Sequence, residues 1–567
     1  GKSVIASLIA KEIGKRGVVI CPPALIGDSN SKDSGWYEYL NKFELYDWEV
    51  RSRGQQTLEA FAASELEYDQ GFEVVIIDEA HYFRNQDTAA YEALLTICRG
   101  KKVILLSATP FNNSPNDIFS LLKLFTIPGD SSITLQDNLE STFNTYELDF
   151  KSLTNILKNY NSPSDLKREK AERNYVKSTG NVLPIDISEV KLELRLLADK
   201  IKSVISPILI RRNRLDLKRD LEYQSEVGEL SVVKDPTRMF FELNEEQFEF
   251  YDDIINKCFS EDGMFNGAIY QPFLYQQELD EEEQLDALSN RALNQQKNLF
   301  GFMRRLLVKR FESSFGAFRK SIERFHFVHE IVEDFIENSG GKFIMDRKLM
   351  ESISGSDEEE ILRNLEDFAN DLQEERRRPK NNEVYTIADF QRAKEFKKDI
   401  AKDKKLFKEV LKKIDSLKLV DNDPKLEVVM NEIEKVLKQK TKRKIILFTE
   451  YTDTVRHLEE RMLNRFSNRV LVCDGAVNKK FETTLNANFN AQLADSKQDD
   501  EYDILITSDK LSEGFNLNRA GLIINYDIPW NPTRVIQRVG RINRIGKKVF
   551  DELFIYNFFP TFSGKTF

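Results

Sequence analysis

The chain has 567 residues, 41% of them hydrophobic and 31% charged, with a formal net charge of -11. That length exceeds what one hydrophobic core organises, so two to four domains are expected, and the charge density predicts long solvated helices. No apolar run approaches a bilayer span and no signal-peptide pattern is present, so the chain reads as cytoplasmic; four cysteines without paired spacing exclude a disulfide framework and a zinc set.

In chain order, Gly1-Lys2-Ser3 matches the last three residues of a phosphate loop. Val4, Ile5, Leu8, Ile9 and Ile13 repeat at helical spacing until Gly14 and Gly17, so a helix N-terminus follows the tripeptide. Its free N–H groups and dipole suit phosphate, with Lys2 reaching the β/γ-phosphates and the Ser3 hydroxyl on Mg²⁺. Such a loop needs at least five residues before Gly1, so the natural polypeptide is expected to begin upstream. Val18 to Cys21 reads as a strand running into Pro22-Pro23-Ala24, and strand–helix alternation continues to about residue 125.

Val74 to Ile77 is a continuous apolar run, the signature of a strand covered on both faces of a parallel sheet. It delivers Asp78-Glu79-Ala80-His81 to the strand end where ligands of such sheets collect. Asp78 is the candidate metal carboxylate and Glu79 the group that polarises the attacking water. A second run, Val103 to Leu106, ends in Ser107-Ala108-Thr109-Pro110, whose hydroxyls can bond the acidic motif and sense the nucleotide. Residues 131–205 turn polar and helical, and Pro207 to Arg212 reads as a strand with a basic end.

From Glu242 to about Lys442 the pattern is helical. Aromatic residues at 302, 311, 315, 318, 325 and 327 read as core, with arginines and lysines on the other face. Glu358 to Lys405 is so charged that it reads as an exposed helical arm or linker. A second α/β region begins near Pro424, with strands at Lys444 to Phe448, Val470 to Cys473, Asp503 to Thr507, Leu522 to Tyr526 and Leu553 to Tyr556. Gly514, in Ser512-Glu513-Gly514-Phe515, permits a tight turn that brings backbone close to a ligand. Asp527 to Arg544, DIPWNPTRVIQRVGRINR, then places Gln537, Arg538, Arg541 and Arg544 on a short helix, Arg541 and Arg544 on one face.

Together GKS, DEAH, SAT and QRVGRINR resemble the motors of helicase superfamily two, as its motifs I, II, III and VI. Ile210-Arg211-Arg212, Phe448 to Asp453, SDKLSEGFNLNRAG (508–521) and NYDIPWNPTRVIQRVGRINRIGK (525–547) most resemble the Swi/Snf-type DNA translocases, including bacterial members that associate with RNA polymerase. The resemblance covers roughly 1–125, 205–255 and 425–558; the first half of motif I and the adenine-reading segment are lacking.

It implies two RecA-like, doubly wound parallel-sheet lobes with large helical insertions: a first lobe over 1–215 with an insertion at about 131–205, a helical region over 216–423, and a second lobe over 424–567. It implies ATP and Mg²⁺ as cofactors, and duplex DNA bound without sequence preference in a nucleoid-associated motor that remodels protein–DNA complexes. Gly1, Lys2, Ser3, Asp78, His81 and Gly514 would serve the nucleotide, Glu79 the water, and Gln537, Arg541 and Arg544 the transition state. Pro22, Pro23, Ser107, Thr109, Thr449 and Ser508 fall in motifs toward nucleic acid. A strand-separating helicase, or an ATP-gated clamp or scaffold in a defence or repair complex, shares the same motifs.

Overall fold

The structure is a computed structural model that describes residues 2–32, 34–68, 70–86, 88–107, 114–127, 138–162, 164–210, 229, 231–276, 287–346, 349, 358–373, 383–439, 442–475, 477–512, 515–529, 531–544, 547–562 and 565–566. It divides into two units, Gly1–Leu217 and Lys218–Phe567.

In the first unit, helix α1 (Lys2–Ile13) ends at Gly14, whose φ of +64° only glycine takes without strain and whose N–H bonds Ala10 O at 3.1 Å. Then come β1 (Gly17–Cys21), α2 (Gly35–Lys42), β2 (Glu49–Ser52), α3 (Gln55–Glu67), β3 (Val74–Ile77), α4 (Ala89–Cys98) and β4 (Lys102–Leu105). These strands form a wholly parallel sheet of order β2-β1-β3-β4. Alternate residues of β1 and β3 feed two different cores. Val18, Ile20, Val75 and Ile77 pack with Leu58, Phe61 and Leu94. Val19, Cys21, Val74 and Ile76 pack with Ala6, Ala10, Trp36 and Leu40 on the opposite face. Helices thus cover both faces, as the unbroken apolar runs require. From β1 the chain winds one way to β2 and, through β3, the other way to β4, so the β1 and β3 ends form a switch point where ligands collect.

Beyond α5 (Pro115–Lys123), three helices follow: α6 (Leu139–Asn159), α7 (Asp165–Thr179) and α8 (Ile187–Ile205). They bury small cores of their own around Phe143, Leu197 and Ile201, and around Leu153, Ile156, Tyr175 and Val190. The strand expected from Pro207 does not form among the described residues. Ser206–Ile208 is a single 3-10 turn, with Ile208, Leu209 and Ile210 exposed by 43%, 42% and 60%. A buried-strand composition finds no sheet neighbour here; residues 211–212 lie outside the described part.

In the second unit, β5 (Val232–Val233) and β6 (Thr237–Glu242) precede the helices α9 (Glu245–Asp252), α10 (Ala287–Ser313) and α11 (Phe315–Asn338). Strand β7 (Lys342–Met345) and helix α12 (Glu358–Gln373) follow, then β8 (Glu383–Thr386), α13 (Ala393–Ser416) and α14 (Pro424–Lys438). The α/β part comprises β9 (Lys444–Thr449), α15 (Thr452–Phe466), β10 (Val470–Cys473), α16 (Lys479–Phe489), β11 (Ile504–Ser508), β12 (Ala520–Asn525), α17 (Pro532–Ile542), β13 (Glu552–Phe562) and β14 (Lys565–Thr566). Its eight-stranded sheet has the order β10-β11-β9-β12-β13-β14, with β5 and β6 also paired to β13. The pairings are parallel except β13 with β14.

One face of β9, β11 and β12, through Ile445, Leu447, Ile504, Ile506, Leu522 and Ile524, shares a single core with the helical segment. The other face packs Ile446, Phe448, Leu505 and Ile523 against Leu485 and Phe489. Two expectations change. Glu358 to Lys405 is no exposed arm: Ile361, Leu362, Leu365 and Phe368 of α12, and Phe396 and Ile400 of α13, are buried. Their helical spacing makes an apolar stripe that the surrounding charge hides. Phe311, Phe315, Phe318 and Phe325 are core as expected, but Arg310 does not face solvent.

Arg310 is fully buried, ion-paired through Nη2 to Asp453 on α15, and donates from Nε to Ser321 Oγ at 2.8 Å. Burial alone would raise the Asp453 carboxyl, but Arg310 and Arg324 outweigh it and hold the pKa at about 2. A depressed acid stabilises the fold above its unfolded pKa, so this contribution is complete above pH ~4 and fades as pH falls toward the folded value. Arg310→Ala leaves Asp453 partly uncompensated and is expected to lower stability by roughly 3–5 kcal/mol in denaturant unfolding. A loss under ~1 kcal/mol would show the pair to be ornamental.

Candidate active site

In the first unit, backbone bonds from Asp78 N to Ile20 O and from Ala80 N to Leu106 O, each 2.8 Å, bring the β1, β3 and β4 ends together. Asp78 is buried, its Oδ2 accepting from Trp36 Nε1 at 2.9 Å and its Oδ1 from the Glu79 amide at 2.9 Å. Burial, then the neighbouring Glu79 charge, push its pKa up. A cation placed there relieves both effects, so the donor chemistry fits a hard divalent ion completed by phosphate oxygens and water.

Glu79 takes φ 51° and ψ 46°, a left-handed conformation that costs a non-glycine residue of order 1–3 kcal/mol and collects at functional sites. That twist turns its carboxylate to Lys2, whose Nζ donates to Oε1 at 2.9 Å. His81 Nδ1 lies 3.2 Å from Oε2, off hydrogen-bond alignment. Burial works to raise the Glu79 pKa, yet His81 and the Lys2 ammonium prevail and hold it at about 2. Lys2, Asp78, Glu79 and His81 therefore form one connected group. Ser3 sits half-buried in the first turn of α1. Pro22 is buried and Pro23 exposed at the β1 end, and Ser107 follows β4. Gly1, Thr109 and Gly514 lie outside the described residues.

In the second unit, α17 starts where Asn531 caps it, accepting from Thr533 N at 3.0 Å, with Pro532 at its first position. It carries Gln537, Arg538 and Arg541 but stops at Ile542. Arg544 therefore lies past the helix, and the two arginines do not share a helical face as expected, because Asn543 ends the α-turn. Arg544 Nη2 instead donates to Phe515 O at 3.5 Å. Arg538 is fully buried: Nε donates to Asp509 Oδ1 at 2.6 Å, and Nη1 to Asn525 Oδ1 at 2.9 Å and Asp527 O at 3.1 Å. It holds the helix in place, while Gln537, Arg541 and Arg544 are partly exposed, as is Arg534.

Thr449 and Ser508, expected to face nucleic acid, are both buried. The Thr449 hydroxyl is spent on Asp527 Oδ2, so its side chain is not presented to a phosphate. Sequence reasoning missed Trp36 and Asp527; an isolated Trp and an Asp in a turn carry no signal until the sheet places them.

A family model described as the SNF2-related domain matches residues 62–306. A second, the helicase conserved C-terminal domain, matches residues 424–546. An uncharacterized ATP-dependent helicase of Bacillus subtilis (strain 168), YqhH, is 31% identical over 144 residues, 25% of this chain and 23% of that protein. The ATP-dependent RNA helicase dbp8 of Aspergillus fumigatus is 35% identical over 103 residues, 18% of each chain. This chain thus spans less than a quarter of the length of either relative. The SWI2/SNF2 ATPase core of Sulfolobus solfataricus in complex with dsDNA aligns over 98% of this chain and 80% of its own, at 15% identity and a TM-score of 0.24, too slight a likeness to argue from. Among the described residues no helix is long and apolar enough to cross a membrane. The chain thus carries an SNF2-related stretch followed by a helicase C-terminal stretch, the pairing of the Swi/Snf-related, helicase-type ATPases of superfamily two.

Proposed function

We propose that the chain is the core of an ATP-dependent motor that translocates on duplex DNA and remodels protein–DNA complexes. The observation that carries this reading is the Lys2–Glu79–His81 group beside Asp78 at a sheet switch point, in a chain with these two matched stretches. Lys2 binds the β/γ-phosphates. In doing so it leaves Glu79, which loses a cationic partner and becomes a better acceptor for the proton of the attacking water. His81 keeps Glu79 oriented. Asp78 and Ser3 supply the protein oxygens for Mg²⁺, which neutralises phosphate charge when bound. Gln537, Arg541 and Arg544 stabilise charge that develops on the transferred phosphoryl group. Contacts to DNA phosphates carry no sequence information, which a tracking motor needs.

The deciding experiment is ATP hydrolysis without nucleic acid and with single-stranded DNA, duplex DNA and RNA. Stimulation by duplex DNA supports the motor. Stimulation by RNA or single strands alone, with strand separation, supports the helicase reading that the likeness to dbp8 favours. Binding to duplex DNA is expected to weaken with salt at a log–log slope of about -0.9 per phosphate contacted, with near indifference to sequence. Strong discrimination between unrelated duplexes of equal length contradicts a tracking motor.

A further inference from the structure

Between the two family-matched stretches, 62–306 and 424–546, lies a break in the helical segment of the second unit. Helix α10 ends at Ser313, and Ser314 starts α11 by accepting from Ala317 N at 3.0 Å. Lys425 Nζ grips the end of α10, donating to Glu312 O and Ser313 O at 3.0 Å each. The fully buried Ser313 hydroxyl donates to Asp527 Oδ2 and lies 2.7 Å from Thr454 Oγ1. Asp527 is also the acceptor for the Thr449 hydroxyl and, at 2.8 Å, for the Glu450 amide. Its carbonyl and Asn525 together fix Arg538, the buried residue that holds α17.

We propose that Ser313 is a positioning residue for the arginine helix, so that the helical segment sets the placement of Gln537 and Arg541 through Asp527 and Arg538. The charge on Asp527 makes each hydrogen bond to it stronger than a neutral one, so losing the Ser313 donor is felt at the residue it serves. Beside the break lies a cavity of ≈ 220 Å³ bordered by Phe241, Tyr251, Phe311, Ser313 and Asp527. On that side the junction borders a cleft rather than a close-packed wall, so its placement depends on the hydrogen bonds to Asp527 and Lys425. A displacement of α10 against α11 would therefore be read at the arginine helix.

The proposal rests on the ATPase reading for its kinetic consequence but not for its structural one, so two measurements on the full-length protein separate them. In hydrogen exchange, Ser313→Ala is expected to reduce protection of the α17 amides at least roughly tenfold, and Ser313→Thr to restore it. In steady-state ATP hydrolysis, Ser313→Ala is expected to lower kcat about tenfold with the KM for ATP within about twofold, and to cause no further fall in an Arg541→Ala background. Unchanged α17 protection overturns the proposal even if the chain hydrolyses no ATP, a result that sinks only the functional reading. A kcat loss that multiplies with that of Arg541→Ala, or one that Thr fails to restore, also overturns it.

Discussion

Glu79→Gln is expected to stop ATP turnover while nucleotide binding survives. The substitution conserves volume and the left-handed backbone at φ 51°. It removes the negative charge that would accept a proton from the attacking water, a role worth roughly 10²–10⁴ in rate. The fold should tolerate it. The ion pair lost is Lys2–Glu79, whose lysine side chain is 39% exposed, so solvent screens part of what it contributes. Lys2, released from Glu79, remains available to phosphate. Single-turnover hydrolysis and equilibrium binding of a labelled nucleotide check both halves. A variant that hydrolyses ATP at near the native rate would falsify the assignment of Glu79 to the water and transfer interest to a scaffold that binds without turnover.

The grouping of Lys2, Asp78, Glu79 and His81 was readable because its signals are local. Val74 to Ile77 is a strand buried on both faces, so four successive apolar residues point to a single outcome, and the chain delivers the acids directly after it. The start of α17 was equally local, through Asn531 and Pro532. Non-local features could not be read. Strand β6 joins the second sheet only by pairing with β13 far along the chain, and β7 with β8 across an intervening helix. Arg310 gave no sign of burial, because what buries it is Asp453, remote in sequence. Thr449 sits at a strand end that reads as ligand-facing, yet Asp527, from another strand end, takes its hydroxyl. Nor could spacing show that the helix stops between Arg541 and Arg544. Periodicity describes one element at a time, whereas these positions are decided by what a second element brings.

The arginine stretch is where that distinction has the largest measurable consequence, because three residues of one type are expected to fail in different ways. Arg538→Ala removes the side chain shared by Asp509, Asn525 and the Asp527 carbonyl, and takes away the guanidinium that lies 3.7 Å from the buried Asp527 carboxylate. Its expected defect is in folding, with a loss of several kcal/mol in denaturant unfolding. Arg541→Ala and Arg544→Ala alter partly exposed side chains, so stability should change by less than ~1 kcal/mol while DNA-stimulated hydrolysis falls at least roughly a hundredfold. ATP affinity should change far less, because these groups act on charge that appears only in the transition state. The two need not be equal. Arg541 rides on α17, which Arg538 anchors, whereas Arg544 lies beyond the helix and bonds the Phe515 carbonyl, so its reach depends on the loop that follows β11. Comparing kcat, KM for ATP and DNA affinity for each variant separates the cases. If both instead lose DNA affinity with kcat at saturating DNA intact, the stretch faces nucleic acid, and charge stabilisation during phosphoryl transfer must come from other residues.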